Sequence, residues 1–413
     1  MEKDLELKFV QDWMEEILSG RKLIEKARFN ESGWCNEKRG DLKREKSKES
    51  RELKFFAMRK ICRHFSNPER GYKTVHVAGS KGKGTIASEI SAGLQAAGKK
   101  TGVFLSPHVE YFSERIRDGK GEMFQEETYR TAFLELKEGI EEMLSRGEIL
   151  REEMGWFQIV TVFAMLVFRR AGVEYGVFEV GIGGRVDATN VIVPEAIGVG
   201  VVEREHTRIL GDSLAKIARE KAGVFKRETP VVSVPQERVV EEVFSEVAKV
   251  KVQGGSVKYV SGETYVEQDR EVAKEVLKIL IPEVEEGTYL PAVEAVRLPG
   301  RYEIVKNTAE FSGVPYILLE GAHTIKSVEA AILRMKAEGR RGVVGYFEKR
   351  EGKDAEKKRI IRESGVAEEM VEIRGERREG IEDTLKRADS LEKPAIFIGS
   401  FYGVGEVKKR LRV

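Results

Sequence analysis

The stretch that decides the fold is Val75-His76-Val77-Ala78-Gly79-Ser80-Lys81-Gly82-Lys83-Gly84-Thr85. A β-branched run leads into a glycine-rich turn, and a helical pattern follows at Ile86, Ile90 and Leu94. A strand that feeds a glycine-rich loop and a helix N-terminus is suited to phosphate, because backbone N–H groups converge there and the helix dipole favours an anion. Lys83 adds a full positive charge, so the stretch predicts a phosphate-binding loop.

This loop departs from the usual P-loop pattern. That pattern has glycine at the position of Val77 and a hydroxyl residue at the position of Gly84. Here the hydroxyl group comes one residue later, at Thr85. The displacement indicates a particular class of nucleotide-binding protein.

Length and composition restrict the possible functions. The chain has 413 residues, enough for two or three domains. Its 72 basic and 70 acidic residues nearly cancel, so charge gives no case for a nucleic-acid or membrane partner. No apolar run approaches the roughly 18 residues of a membrane span, and the acidic N-terminus lacks a signal-peptide core. Two cysteines, Cys35 and Cys62, are typical of a reduced cytoplasmic protein and match no metal motif.

Strand and helix patterns alternate along the chain. Strands are predicted at 74–78, 101–105, 175–180, 196–202 and 230–234, and helices at 157–170 and 214–222. Such alternation predicts an α/β protein with a doubly wound, mostly parallel sheet.

The alternation restarts after the segment RLPGR at 297–301. Further strands are predicted at 315–319, 342–346, 370–373 and 395–398. Proline and glycine interrupt the pattern near 295–300, which predicts a linker. We therefore expect a P-loop-type domain over 1–297 and a smaller, Rossmann-like α/β domain over 298–413.

Two N-terminal segments stand apart from this pattern. Apolar residues at helical spacing predict an amphipathic docking helix, with membrane-surface binding as the alternative; these residues are Leu7, Val10, Trp13, Met14, Ile17 and Leu18. The almost wholly polar segment 36–54 predicts a solvated loop or exposed helix, with a specific binding role as the alternative.

Oxygen-bearing side chains follow two of the predicted strands. Ser106 ends one strand, and Glu179 leads another into the glycine-rich segment 181–190. Ligands bind outside the carboxyl ends of strands in open α/β sheets, and Mg²⁺ prefers oxygen donors. These residues are candidate magnesium ligands, although a Ser-Pro turn and a salt-bridged acid are the structural alternatives.

Other candidate residues are weak when each is taken alone. His206 follows a strand, and Lys221 ends a helix, where a lysine commonly complements the helix dipole. Arg301 lies just past the predicted linker, and Glu320 and His323 end a strand of the second domain.

Taken together, the motifs resemble the folylpolyglutamate synthase/dihydrofolate synthase family of the Mur ligase superfamily. The similarity extends from about Asn67 to Glu406, and seven segments occur in the family's order. They are NPERGYKTVHVAGSKGKGT, FLSPHVEYFSERIRDG, FEVGIGGRVDATN, REHTRILGDSLAKIAREKAGVFK, LPGRYEI, EGAH and GSFYGVGEV.

The resemblance implies an ATP-dependent amide ligase. In such enzymes a substrate carboxylate attacks the γ-phosphate of ATP to form an acyl phosphate, and the amine of glutamate then displaces phosphate. The reaction requires charge neutralisation on ATP and exclusion of water from the acyl phosphate. The implied site lies in a cleft between the domains.

The resemblance also implies roles for individual residues. ATP would be bound by Gly79, Ser80, Lys81, Gly82, Lys83, Gly84, Thr85, Arg301 and Glu320, and metal by Thr85, Ser106, Glu179 and His206. The implied catalytic residues are Lys83, Lys221 and His323, with Lys221 matching a lysine that the family carries as a carbamate.

The cofactors and partners implied are small molecules. They are ATP, two Mg²⁺ ions, a monovalent cation, L-glutamate, and folate or dihydropteroate. The resemblance also implies a cytoplasmic monomer that binds neither nucleic acid nor a membrane.

Several positions depart from the family pattern. The phosphate loop usually has threonine-asparagine in place of Ser80-Lys81, and the acid before the metal histidine is commonly aspartate. The departing positions are Ser80, Lys81, Glu205, Asp269, Glu320 and Thr324, with Asp269 standing where the family has an asparagine beside adenine. Two alternatives therefore stay open, namely a ligase for another acid and amino acid pair, and an ATP-binding homologue without ligase activity.

Overall fold

The computed structural model describes residues 7–19, 48–306, 309–348, 354–374 and 377–412. They form two compact units. The first contains the described residues up to Pro107 together with Phe112–Val296, and the second contains His108–Tyr111 and the described residues from Arg297 onward. The change of unit after Val296 falls within the segment where the sequence predicts a linker, whereas nothing in the sequence marks 108–111 as part of the second unit.

The first unit is built on a seven-stranded sheet with the strand order β3-β2-β4-β1-β5-β6-β7. Its strands are β1 Lys73–Ala78, β2 Thr101–Phe104, β3 Ile116–Asp118, β4 Tyr175–Glu179, β5 Ala196–Val199, β6 Val231–Ser233 and β7 Lys258–Tyr259. All neighbouring pairs are parallel except β2 with β3. The predicted doubly wound, mostly parallel sheet is therefore confirmed.

Ten helices accompany this sheet in the part of the first unit that the structure describes. They are α1 Lys8–Ser19, α2 Lys48–His64, α3 Lys83–Ala96, α4 Glu126–Ser145, α5 Trp156–Ala171, α6 Thr207–Leu210, α7 Leu214–Lys221, α8 Arg238–Lys251, α9 Tyr265–Leu280 and α10 Glu286–Ala295. The predicted amphipathic helix is α1, which buries Val10, Trp13, Met14 and Ile17. The ring of Trp13 packs edge-on against Phe133 of α4, so α1 docks on the protein's own core.

The sheet is buried on both faces, which explains the near-continuous apolar character of its strands. Val75 and Val77 of β1 pack with Ile90 of α3 on one face. Phe178 of β4 packs with Phe168 of α5 on the other, and α5 is buried over residues 158–168 because it is apolar all round.

The charged segment 36–54 is only partly described. Its residues 36–47, like Cys35, lie outside the described residues, whereas 48–54 form the start of α2. The interpretation as a solvated face is wrong for Arg51 and Glu52. Both are half-buried; Arg51 donates to the Ile182 carbonyl at 3.4 Å, and Arg185 donates to Glu52 at 3.1 Å. The polar composition of this turn of α2 thus reflects ion pairing with the loop after β4.

The second unit has a five-stranded mixed sheet with the order β11-β10-β12-β9-β8. Its strands are β8 Glu303–Val305, β9 Ile317–Glu320, β10 Gly342–Phe347, β11 Ala367–Ile373 and β12 Ala395–Ile398. Its helices are α11 Ile325–Ala337, α12 Ala355–Glu363, α13 Arg377–Ser390 and α14 Phe401–Leu411. Sequence patterning predicts β9–β12 but misses β8, a three-residue strand that pairs antiparallel with β9.

None of the helices in the described ranges has both the length and the apolar character needed to cross a bilayer. Cys62 is a buried free thiol on α2, and burial raises its pKa well above the usual value.

Candidate active site

The phosphate loop curls over the carboxyl end of β1. Gly79 and Gly82 have φ angles of 137° and 81°, a region that favours glycine. Gly82 precedes the first residue of α3, and no side chain caps this helix end. The backbone N–H groups of the first turn of α3 therefore face the loop, as an anion site requires.

The shape of this loop depends on the segment that follows β5. Ser80 and Lys81 donate their backbone N–H groups to the Val201 carbonyl at 2.6 and 3.2 Å. The Ser80 hydroxyl also lies 2.9 Å from the backbone nitrogen of Glu203, which donates to it. A Cβ atom at Gly200 would lie 2.1 Å from the Lys81 carbonyl oxygen, so this position must be glycine. Neighbouring strands thus hold the loop in place.

Asp269 of α9 lies against the same loop. A Cβ atom at Gly82 would lie 2.2 Å from its Oδ1, and Asp269 is only 9% exposed. The position that departs from the family's asparagine is therefore directly beside the phosphate loop.

Lys221, Glu205 and Gly79 form a buried polar group under the loop. Lys221 is 2% exposed, and its Nζ donates to the Gly79 carbonyl at 2.7 Å and to Glu205 Oε1 at 2.9 Å. Burial lowers the pKa of Lys221 to about 8, although Glu205 opposes the shift. Burial favours protonation of Glu205, but the positive charges of Lys221 and Lys83 outweigh it and hold the pKa of this carboxylate at about 2. Burial lowers the pKa of His206, the neighbour of Glu205, and the nearby charges of Lys221 and Lys83 add to the shift, although Glu205 opposes it.

Glu179 and Ser106 meet at the ends of adjacent strands. Glu179 is 2% exposed, and its Oε2 accepts the backbone N–H of Ser106 at 2.6 Å. The register of β1 and β4 places Glu179 opposite Val77, two residues before the loop begins at Gly79. Carboxylate and hydroxyl oxygens of Glu179, Ser106 and Thr85 are donors that suit Mg²⁺, whereas the His206 imidazole suits it less. Among the described residues, no three His, Cys, Asp or Glu side chains converge as a preformed metal site.

A buried chain of hydrogen bonds orders the loop after β4. Asp187 accepts the backbone N–H of Ile182 at 3.0 Å and the hydroxyl of Thr189 at 2.6 Å. Since that hydroxyl donates to Asp187, it accepts from His76 Nε2, which lies 2.8 Å away on β1. Asn190 Nδ2 donates to the Arg185 carbonyl at 2.9 Å, which closes the loop. No pattern in the sequence indicates these roles; the only signal is a histidine within an apolar strand.

The second unit carries its own group of motif residues at the end of β9. Glu320 accepts backbone N–H groups from Tyr302 at 3.0 Å and Ala322 at 2.8 Å. Burial raises the pKa of Glu320 to about 7, although these bonds and the charge of Arg301 oppose the shift.

His323 is oriented by its own loop. Its Nδ1 lies 3.0 Å from the Gly321 carbonyl, which can only accept, so the neutral ring carries its proton on Nδ1. Lys357 of α12 is buried and donates to the His323 carbonyl at 3.1 Å. The structure thus places Arg301, Glu320 and His323 within one region of the second unit, and the remaining candidates at one sheet edge of the first.

Curated proteins with similar sequences carry the names that the motifs suggest. The dihydrofolate synthase/folylpolyglutamate synthase of Escherichia coli is 31% identical over 292 residues, which are 65% of this chain and 65% of that protein. The probable bifunctional folylpolyglutamate synthase/dihydropteroate synthase of Haloferax volcanii is 30% identical over 301 residues, 65% of this chain and 34% of that protein. The chain therefore spans less than two thirds of the length of either relative. A scan against protein-family models gives no match.

Solved structures resemble the whole fold. An FPGS–AMPPCP–folate complex matches with a TM-score of 0.76 at 22% identity, covering 89% of this chain and 95% of that chain. The folylpolyglutamate synthase of Thermotoga maritima matches with a TM-score of 0.70 at 23% identity, covering 87% and 93%. At this identity the structural likeness establishes the fold. The resemblance predicted from the motifs is confirmed: the homologues of this chain are folylpolyglutamate and dihydrofolate synthases, and its fold is that of solved folylpolyglutamate synthases.

Proposed function

We propose that this chain is an ATP-dependent ligase that joins L-glutamate to the carboxylate of a folate or pterin through an acyl phosphate. The observation that carries the proposal is the placement of Glu179 and Ser106 beside the glycine-rich loop at one sheet edge. An uncapped helix end, a lysine and oxygen donors together are the groups that bind a nucleoside triphosphate and its Mg²⁺. The names of the relatives supply the substrate class.

In the first unit, the backbone of Gly79–Thr85 would bind the ATP phosphates. Lys83 would neutralise charge that develops on the transferred phosphoryl group. Thr85, Ser106 and Glu179 would hold Mg²⁺, which supplies charge neutralisation for the phosphates when bound. His206 would hold a second Mg²⁺ ion, nearer the carboxylate of the folate or pterin substrate.

Lys221 would support the phosphate and metal ligands of the first unit either as an ammonium or as a carbamate. As an ammonium it ties Glu205 to the Gly79 carbonyl. The carbamate implied by the resemblance requires the neutral amine, which burial favours by lowering the pKa of Lys221 to about 8. Because a carbamate would face Glu205 as a second anion, we propose that it forms only when a bound cation offsets this repulsion.

In the second unit, Arg301 would contact the ATP phosphates and Glu320 the ribose. His323 would lie near the γ-phosphate, with its Nε2 able to accept a proton because Nδ1 carries the hydrogen.

Two half-buried aromatic residues at the start of α5 support a substrate that contains a flat ring. Phe157 is half-buried on α5, and a Cβ atom at Gly181 would lie 2.6 Å from its ring. Trp156 beside it is also half-buried, and Arg115 lies 4.6 Å from the centre of its indole ring. Such rings stack on aromatic heterocycles.

The test is to incubate the protein with ATP, Mg²⁺, labelled glutamate and either dihydropteroate or tetrahydrofolate, and to identify the products by mass. We expect one added glutamate per ADP released. Product formation with only one of the two acceptors would define the substrate. ATP cleavage at the same rate without either acceptor would contradict the proposal.

Two substitutions identify the site that is responsible. Lys83→Ala and Glu179→Gln should each lower kcat/KM at least about a hundredfold, since each removes charge stabilisation of phosphoryl transfer. Lys216→Ala is the matched control, because this exposed lysine of α7 pairs only with Asp212 among its described contacts. ATP binding without any product, from either acceptor, would favour a homologue that lacks ligase activity.

A further inference from the structure

Phe401 is the first residue of α14, and its half-buried ring contacts two separate motifs of the second unit. The Arg301 guanidinium lies 5.1 Å from the ring centre. The His323 ring meets it nearly edge-on, with 6.0 Å between centres and an interplanar angle of 70°.

One glycine leaves room for this ring. A Cβ atom at Gly321 would lie 2.3 Å from Phe401 Cδ1, so a side chain there would displace the ring. The Gly321 backbone N–H donates to the Gly300 carbonyl at 2.7 Å, which joins the two motifs. The absence of a side chain at Gly321 therefore allows the ring to pack against this loop.

We propose that Phe401 is a positioning residue that holds Arg301 and His323 in the orientation in which they meet ATP. The inference rests on the proposed function, which gives these two residues their contacts with the nucleotide. The main chain alone does not fix the Arg301 guanidinium, because a long arginine side chain has many rotamers to lose when it becomes ordered. The aromatic face limits these rotamers through cation–π attraction before ATP arrives. The His323 ring meets Phe401 in addition to its contact with the Gly321 carbonyl.

The placement of Phe401 is itself secured by its helix. Ser400 caps α14 through its hydroxyl, which accepts the Gly403 N–H at 3.2 Å, and Ser400 is buried. Val404, one turn further along α14, packs in the core with Val109. The first turn of α14 is therefore anchored on both sides, which fixes the main chain from which the ring projects.

The test is a double-mutant cycle on the full chain, with the dissociation constant of ATP measured by calorimetry in the presence of Mg²⁺. Phe401→Leu keeps the apolar bulk but removes the ring, and should weaken ATP binding by about three- to thirtyfold. In an Arg301→Met background the same substitution should weaken it less than about twofold, because the flexible side chain that Phe401 orients is gone and only its edge contact with His323 remains. Phe401→Tyr retains the ring and should bind ATP like the wild type.

A matched control separates orientation from general loosening of the unit. Phe311 also carries an arginine over its ring, with Arg410 5.7 Å away and paired to Glu310 and Glu382. Phe311→Leu should leave ATP affinity unchanged. The proposal would be overturned if Phe311→Leu lost as much ATP affinity as Phe401→Leu, or if Phe401→Leu bound ATP like the wild type. It would also be overturned if the fold losses of Phe401→Leu and Arg301→Met simply multiplied in the double variant.

Two further measurements keep the test decisive. If Phe401→Leu does not fold, as judged by its thermal unfolding, Phe401→Met replaces it in the same cycle. Wild-type ligase activity is measured in parallel. Absence of product with normal ATP binding would refute the proposed function, while the binding cycle would still decide the role of Phe401.

Discussion

Lys221 Nζ lies 2.9 Å from Glu205 Oε1, and the same ammonium reaches the Gly79 carbonyl at 2.7 Å. This buried ion pair therefore joins three segments that are far apart in the sequence: the phosphate loop, the loop before α6 and the end of α7.

Glu205→Gln should destabilise the protein, because it leaves a buried ammonium without its counter-charge. The expected loss is about 3–5 kcal/mol in the free energy of unfolding at pH 7, measured with denaturant. The loss should shrink at pH 9, since the pKa of Lys221 is already about 8 and the amine can become neutral. Glu205→Asp keeps the charge and should lose less; equal stability of Glu205→Gln and wild type at pH 7 would show that the pair contributes nothing.

Gly200→Ala should distort the phosphate loop. The new Cβ atom would lie 2.1 Å from the Lys81 carbonyl oxygen, a main-chain atom that must move to make room. We expect at least about a tenfold loss of ATP affinity and a destabilisation of about 1–3 kcal/mol. Gly287→Ala is the control, because nothing lies within 4 Å of a Cβ atom there. Normal ATP binding by Gly200→Ala would argue against control of the loop by the segment after β5.

Glu320 should make the second unit less stable as the pH rises. Its pKa is about 7 in the folded protein but near the ordinary 4.5 of a glutamate when unfolded, so the folded state holds the proton more tightly between these values. Stability is therefore lost as the pH rises from about 4.5 to 7. Glu320→Gln does not titrate, and should gain about 2 kcal/mol relative to wild type between pH 5 and pH 8. The free energy of unfolding of both proteins is measured with denaturant. A difference between Glu320→Gln and wild type that stays constant from pH 5 to pH 8 would contradict the raised pKa of Glu320.

His76 should have the opposite effect in the first unit. Burial lowers the pKa of His76 to about 3, with Lys226 adding to the shift, whereas the unfolded chain titrates near 6.5. The unfolded state therefore binds the proton more tightly, and stability is lost as the pH falls from about 6.5 to 3. Between pH 7 and pH 4.5 the wild type should lose about 2 kcal/mol more than His76→Phe, which keeps a ring but cannot be protonated. The free energy of unfolding of both proteins is measured with urea at each pH. An equal loss of stability in wild type and His76→Phe would exclude His76 as the cause.

Much of the architecture follows from local patterns in the sequence. Apolar strands that alternate with amphipathic helices predict the parallel core of both units, because each element must bury its own apolar surface. The strands β3, β7 and β8 were missed; each has only two or three residues, too few to show a period. The prediction of a solvated segment failed at Arg51 and Glu52, since charge pattern alone cannot tell water from a distant partner such as Arg185, which is 133 residues from Glu52.

By itself the sequence determined which residues are chemically capable and which fold they share. The phosphate loop predicted a phosphate site because its glycines, lysine and helix start are contiguous, and seven segments in order carried the resemblance to folylpolyglutamate synthases. Only the tertiary structure decided which capable residues meet. The contacts of Glu179 with Ser106, Lys221 with Gly79, and Phe401 with Arg301 each join residues 73 or more positions apart. Such contacts depend on strand order and on the space that glycines leave, and the local periodicity of the sequence predicts neither.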